Sequence, residues 1–436
     1  MLCDDHPGHP MAGVIRLRFA GFLNAGHFEA ALASVAERHP LLYATVKKRR
    51  FGTPEWRHNH ETSPVVQWDA TPSANGFTPV CFTDLSLESA TRFQVVNRED
   101  GHDLLVQAHH ACTDAQGLIS LMEDLMVEYA RLTGDEGSAD SARTPDQARL
   151  LRRGAPRLTC RGFMKMLHKQ AVGLRGVLQF IRNAPVPLAV RGEDESVTDC
   201  PASFPNPIMF ELSRTETRSL FAAGRKGRVN AGDLLMRDLF LAISGWRQER
   251  AMGSSANCFR VSVPMSLRGA TDQRMPMANS FSLVFLDRGH TDIKAPDLLL
   301  RSIHEEMQLI KENQLQYTFL LSLAIARRLP GGLPRFLAKD ACRATSCFSN
   351  IGAVFAMTPL PRHDGKLVVG GLRLESVDFV IPLRQRMHAA FCAHIYGGKL
   401  RILMNYDPRH ITQEDARDLL DGFRRRVYRS MDEGSA

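Results

Sequence analysis

The chain has no apolar run approaching the roughly 18 residues that a membrane-spanning helix needs, although hydrophobic residues fill 44% of its 436 positions. It also lacks any C-x-x-C pair. Its nine cysteines (Cys3, Cys81, Cys112, Cys160, Cys200, Cys258, Cys342, Cys347, Cys392) are odd in number and scattered. That argues against a disulfide framework or a zinc knuckle and suits small buried hydrophobes. The opening residues, Met1-Leu-Cys-Asp-Asp-His-Pro, are polar and acidic and do not resemble a secretion signal. These absences lead us to expect a cytoplasmic globular protein, long enough for two subdomains rather than one core. One further absence is local. From Gln147 to Arg191 there are ten Arg or Lys residues and no Asp or Glu, so this segment carries the whole positive excess of a chain whose net charge is +8.

Periodicity supplies the organisation. Val14 to Ala20 alternates at period two and predicts a strand, as does Leu41 to Val46; between them His27 to Arg38 predicts a helix, ended by His39-Pro40. Asp103 to Ala108 predicts a strand. Ala115 to Ala130 predicts a helix with Leu118, Leu121, Leu125 and Tyr129 on one face. Gly134 to Asp146 has the composition of a linker. In the basic segment that follows, Arg161, Lys165, His168, Lys169, Arg175 and Arg182 fall on one side of a helical projection, opposite Phe163, Met166, Leu167, Leu174, Val177, Leu178 and Ile181. Pro185 and Pro187 end it. Strands are expected near Met209, from Cys258 to Val263 and from Asn279 to Leu286. Helices are expected over Ala231–Arg250, about Pro296–Arg328 and about Thr412–Tyr428. Ala389 to Tyr406 predicts a hairpin turned by Gly397-Gly398. Strands and helices mix without strict βαβ alternation, which points to α/β or α+β layers. The expected divisions are 1–145, a basic connecting segment at 146–195, and 196–436.

The segment His109-His110-Ala-Cys-Thr-Asp114 lies where a strand should pass into a helix. It admits three readings. The plainest is a junction with a buried histidine and Asp114 as the helix N-cap. The second makes His110 and Asp114 metal ligands, but zinc needs three or four ligands and no second His/Cys cluster accompanies them. The third makes one histidine a general base, because imidazole is mostly neutral at neutral pH yet basic enough to take a proton.

His109-His-Ala-Cys-Thr-Asp-Ala-Gln-Gly117 resembles the H-H-x-x-x-D-x-x-G signature of the condensation-domain and chloramphenicol-acetyltransferase-like acyltransferase superfamily. Other stretches resemble it in order: Phe28-x-x-Ala-Leu with Arg38-His-Pro-Leu-Leu, Val263-Pro-Met-Ser-Leu-Arg268 followed by Asn279-Ser-Phe-Ser, Ser349-Asn350-Ile-Gly, and Asn405-Tyr-Asp407. The resemblance covers nearly the whole chain. Two features depart from it. Ala278 stands where the family often has glycine, and the plant-type D-F-G-W-G motif is missing.

The resemblance implies two chloramphenicol-acetyltransferase-like subdomains in a V, with a tunnel between them. It implies that His110 is the base, that His109 packs structurally, and that Asp114 pairs with an arginine, Arg268 by its position in the motif. Gly117 would let the helix start pack closely. The implied reaction moves an acyl group from a thioester, on coenzyme A or a carrier protein's phosphopantetheine arm, to a hydroxyl acceptor. Amide formation, or a non-catalytic binding module of the same fold, is the alternative. Ser349, Asn350 and Asn279 are the candidates for holding the oxyanion. Direct transfer requires neither a metal, nor a tightly bound cofactor, nor Cys112 as a nucleophile. The implied partners are a small-molecule or lipid alcohol and an acyl-carrier protein. The basic helix over 157–185 can lie on the protein body, dock an acidic carrier or coenzyme A phosphates, or touch a membrane surface. The lack of aromatic-basic interleaving argues against nucleic acid.

Overall fold

A computed structural model of the chain describes residues 2, 4–47, 54–59, 61–134, 145–153, 173–189, 200–201, 204–252, 258–269, 272, 274–331 and 342–435. In chain order the elements that frame the site are β1 (Ala12–Ala20), α1 (Ala25–Arg38), β2 (Ala44–Lys47), β3 (Glu55–His58), β4 (Val66–Gln67), β5 (Thr91–Arg98), β6 (Gly101–His109) and α2 (Ala115–Leu132). Then come β7 (Asn206–Glu211), α3 (Arg214–Lys226), α4 (Ala231–Glu249), β8 (Phe259–Ser266), β9 (Phe281–Arg288), α5 (Pro296–Glu312) and α6 (Gln316–Arg328). The chain closes with β10 (Ser346–Ala353), β11 (Arg362–His363), β12 (Lys366–Val369), β13 (Leu372–Val380), β14 (Ala389–Tyr396), β15 (Lys399–Tyr406) and α7 (Gln413–Ser435).

Two mixed sheets organise these elements. One has the order β11-β12-β13-β1-β6-β5-β4, the other β7-β15-β14-β10-β8-β9. In the first sheet β1 pairs antiparallel with β6, setting Leu17 opposite Leu104. Phe28, Leu32 and Val35 of α1 and Leu121 and Leu125 of α2 bury against Phe93, Val95, Leu104 and Val106. In the second, Leu239 and Phe240 of α4 and Phe423 of α7 bury against Phe391 and Ile402. This is the α/β class expected, with one helix-covered core for each sheet.

One of the two sheets draws its strands from both ends of the chain. β11, β12 and β13 lie within 196–436 yet belong to the N-terminal sheet, where β13 pairs with β1 (Leu17 opposite Val377). The C-terminal half thus lends three strands to its neighbour and then returns. Buried polar groups fix this crossover. Asp378 on β13 accepts from Arg16 Nε (2.9 Å) on β1 and from Arg401 Nη1 (2.6 Å) on β15, and His394 Nε2 on β14 lies 2.8 Å from the Val377 carbonyl oxygen.

Three local expectations change. Pro40–Tyr43 is a 3₁₀ turn, and the strand begins only at Ala44; proline at its first position suits a helical turn and offers no ladder N–H. The single helix expected over 296–328 is two, because Gln314 takes φ +54 between α5 and α6. In the basic segment, Arg161, Lys165, His168 and Lys169 lie outside the described residues. Residues 173–182 are helical, but Leu174, Leu178 and Ile181 are exposed; the inward face is Gly173, Val177 and Phe180. A Cβ at Gly173 would sit 2.5 Å from Thr318 Oγ1, so the glycine sets how closely this helix approaches α6. The expected hairpin forms between β14 and β15, with Gly397 and Gly398 at φ +57 and +80, the left-handed pair that a two-residue turn of this kind requires.

Candidate active site

β6 runs outward through the first sheet and ends at His109, and α2 starts at Ala115; the five residues between form a tight corner. Asp114 caps α2. Its Oδ1 accepts from the Gly117 N–H (2.8 Å), which satisfies one of the donors a helix start leaves open. Its Oδ2 accepts from Arg268 Nη1 (2.7 Å) and the Ser280 N–H (2.7 Å). The carboxylate is thus paired with one guanidinium and two main-chain N–H donors. Arg268 uses Nη2 to hold the Ala278 carbonyl (2.7 Å). Arg268, Ala278 and Ser280 lie between β8 and β9 or beside them, so this cluster clamps the corner of one sheet onto the other.

The two histidines face opposite ways. His109 is 1% exposed. Its Nδ1 accepts from the Ala111 N–H (3.0 Å), which places the ring proton on Nε2; that atom lies 3.0 Å from Asp5 Oδ2, off the line of a hydrogen bond. His110 is half-buried and lines a cavity of about 940 Å³ between the two sheets. Its Nδ1 sits 2.9 Å from the Thr113 carbonyl oxygen. A carbonyl only accepts, so Nδ1 carries the proton and Nε2 keeps its lone pair. Phe281 of β9 packs on the ring at 5.0 Å between centroids. Burial pushes the imidazole down to about 4, against the opposing pull of Asp114, so it is uncharged at neutral pH.

The remaining sequence candidates divide. Gly117 is pressed against the second half: a Cβ there would meet the Ala278 carbonyl oxygen at 2.5 Å. Ser349 and Asn350, on β10, line the cavity. Asn279 is taken up elsewhere, since its side-chain amide donates to the main-chain carbonyl of His110 and so fixes the corner rather than facing a substrate. Cys112 points away into the core, toward the Leu41 carbonyl (3.7 Å), and burial pushes its thiol up to about 12, which leaves it protonated and unreactive.

Two residues beyond the sequence candidates support the site. His39, buried after α1, lies 2.9 Å from Asp124 Oδ2 through Nε2 and accepts from the Met277 N–H (2.8 Å) through Nδ1, so it tethers the 277–280 segment to α1 and α2. In sequence the Arg38-His-Pro stretch reads as a helix stop and as part of the family resemblance, but neither reading gives His39 a role at the site. Asp5 braces the N-terminal segment through the Met11 N–H (2.9 Å) beside His109; nothing in a polar N-terminus pointed there.

The two sheets and the cavity between them have the two-subdomain fold of condensation domains. Among solved structures the chain is similar to the first condensation domain of the CDA synthetase (TM-score 0.67, 14% identity, 100% of this chain and 94% of that one). It is also similar to the starter condensation domain of rhizomide synthetase, as a mutant in complex with C8-CoA and Leu-SNAC (TM-score 0.62, 13% identity, 100% and 91%). A third similar structure is the SgcC5 protein from Streptomyces globisporus in complex with (R)-(-)-1-(2-naphthyl)-1,2-ethanediol and sucrose (TM-score 0.59, 16% identity, 98% and 94%). At these identities the likeness defines the fold. No family model matches the chain, and no curated protein sequence matches it. Among the described residues, no helix is long and apolar enough to cross a membrane.

Proposed function

We propose that the protein is an acyltransferase that moves an acyl group from a thioester to a hydroxyl acceptor, with His110 as general base. The observation that carries this reading is the tautomer of His110: Nδ1 is tied to the Thr113 carbonyl, which leaves Nε2 as an unprotonated acceptor on a ring lining a large cavity. In the proposed reaction Nε2 takes the acceptor's hydroxyl proton as its oxygen attacks the thioester carbonyl carbon. The tetrahedral intermediate collapses with cleavage of the C–S bond. The imidazolium returns its proton to the departing thiolate, so the ester and the free thiol leave and the enzyme is unchanged. Ser349 Oγ and the Asn350 amide, on the cavity wall, are the donors proposed for the oxyanion; loss of one such donor commonly costs about 10²–10³ in rate.

Neighbours of the same fold support both substrate classes, since one is described with C8-CoA and another with an aryl ethanediol. Coenzyme A or a carrier protein's phosphopantetheine arm would present the donor. An amine acceptor would use the same base and the same wall, and Leu-SNAC in the rhizomide structure gives that reading its support. The proposal is tested by following thiol release from a panel of acyl-CoAs with simple alcohols and amines, for the native protein and His110→Ala. A drop of 10²-fold or more with unchanged melting temperature is expected; turnover within a factor of two of native would remove His110 as the base.

A further inference from the structure

The cavity is unevenly charged. Its lining includes Arg343, Arg384 and Arg386, grouped where β13 leads toward β14 and just before β10. Arg268, the fourth arginine on the wall, is spent on Asp114. The three grouped cations share their end of the cavity with the N-terminal segment, whose Asp4, Asp5, His6 and His9 also line it. Asp4 Oδ2 lies 3.1 Å from Arg384 Nη2. Arg384 lines the same cavity as His110. After burial, its charge is a smaller influence in the direction that keeps the His110 imidazole neutral. Arg343 is pushed down mainly by burial and also by the charges of Arg260 and Arg384, while Asp4 supports it. Arg260 is committed to Asp287 (2.6 Å).

Two neighbouring guanidiniums inside a cavity repel each other and lose hydration, so such an arrangement is maintained where an anion bridges them. In this structure Asp4 supplies that anion. Asp4 lies ahead of β1, outside the strands and helices of either core, so the anion that Arg384 now holds is not part of a sheet or helix.

We propose that Arg384 and Arg343 form an anion subsite for the acceptor: the molecule acylated at the His110 centre carries a carboxylate, which displaces Asp4 and anchors the acceptor with its hydroxyl or amine toward Nε2. This rests on the acyl-transfer reading for the identity of the occupant, though the anion subsite itself does not. A guanidinium can hold a planar carboxylate through two parallel N–H donors, and Arg384 Nη2 already lies 3.1 Å from one Asp4 carboxylate oxygen. The acceptor class is therefore hydroxy or amino acids in preference to neutral alcohols.

The test is calorimetric binding by the full chain of matched probes, free hydroxy and amino acids (phenyllactate, 3-hydroxybutyrate, phenylalanine) against their methyl esters, with inorganic phosphate as a separate arm. At least one free acid is expected to bind ten-fold or more tightly than its ester. Asp4→Asn, which removes the internal competitor at an N-terminal position, is expected to tighten that binding three-fold or more. Arg384→Gln and Arg343→Gln, checked as folded by circular dichroism, are expected to weaken it at least ten-fold. The proposal is overturned if no free acid binds the native or Asp4→Asn protein, if acid and ester bind alike, or if phosphate alone binds. Binding of the acids without thiol release from any acyl-CoA would sink acyl transfer and leave the subsite standing. Thiol release with neutral alcohols at a kcat/KM equal to that with hydroxy acids would do the reverse.

Discussion

Arg268 Nη1 and Asp114 Oδ2 meet at 2.7 Å across 154 residues of sequence, and the same arginine reaches the Ala278 carbonyl with its other nitrogen. Both residues line the same cavity as His110. What they hold is the corner on which His110 sits, because Asp114 also caps α2 and takes the Ser280 N–H. Removing Arg268 leaves a carboxylate buried without its counter-ion, a loss that typically costs about 3–5 kcal/mol. Arg268→Met should therefore lower stability by roughly that amount in urea denaturation. The double variant Asp114→Asn with Arg268→Met should lose at least 1 kcal/mol less than the two single losses added together, because the second change removes the stranded charge. Strict additivity would mean that the pair is not an energetic unit.

Gly117 shows how close the two halves come. Glycine inside a helix is ordinarily about 1 kcal/mol worse than alanine, so Gly117→Ala in α2 would stabilise a free helix. Here the added methyl would lie 2.5 Å from the Ala278 oxygen and 2.8 Å from the Ala278 nitrogen, both main-chain atoms that cannot rotate away. The clash outweighs the propensity, as overpacking typically costs about 1–3 kcal/mol. A net loss of about 2 kcal/mol is expected, together with reduced thiol release, since Asn279 and the His110 carbonyl must move with Ala278. A variant as stable as the native chain would show that the halves are not pressed together at this point.

Cys112 lies two residues from the base and resembles a nucleophile by position alone. Its burial and raised thiol pKa of about 12 argue against that role. Cys112→Ala should keep thiol release within about two-fold of native while costing on the order of 1–2 kcal/mol for the small cavity it leaves. An acyl group found on Cys112 by mass spectrometry of a stalled reaction would establish covalent catalysis instead.

The elements built from local signals were legible in the sequence. The strand-to-helix corner at 109–115, the Asp114 cap, the face of α2 and the Gly397-Gly398 hairpin each depend on residues a few positions apart, where spacing and backbone preference decide. Pairings between distant segments were not. No strand is expected from the sequence over Leu372–Val380, and nothing in that stretch says that β13 will leave its own half to lie beside β1. The partnership is decided by buried groups such as Asp378 between Arg16 and Arg401, which become visible only once both sheets are in place. The same holds for Asp4 beside Arg384 and for His39 beneath Met277. The break at Gln314 was hidden because Lys311-Glu-Asn-Gln314 carries no glycine or proline to mark it. At the exposed face of 173–182, a helical projection located the stripe of apolar side chains but not which of them the neighbouring helix would cover.

Acid stability should carry the signature of buried, neutral histidines. Burial is the largest influence on His9, His110, His388 and His394, and it pushes each from 6.5 down to about 4. His394 is the most enclosed of them: Nε2 faces the Val377 carbonyl at 2.8 Å, and Nδ1 has no partner. For such a group the unfolded chain binds a proton at a higher pH than the folded one, so unfolding takes up protons and stability rises with pH across the interval between the two values. The stabilisation is complete above about pH 6.5, declines as the pH falls below that, and is lost by about pH 4. Asp238, raised to about 6 by burial, acts in the opposite sense for one proton, because its folded form gains the proton first. The carboxylates lowered by arginine, Asp378 and Asp407 among them, add their own loss only further down, below their unfolded values near 3.8. Urea denaturation between pH 7.5 and 4.5 should therefore show a proton uptake of two to three per molecule centred near pH 5.5, each proton contributing about 1.4 kcal/mol per pH unit at most. His394→Gln keeps a donor for Val377 but cannot titrate, and should reduce that uptake by close to one proton. An unchanged slope in that variant, or a native protein that gains stability on acidification from pH 6.5 to 4.5, would show that these imidazoles are not held neutral by burial.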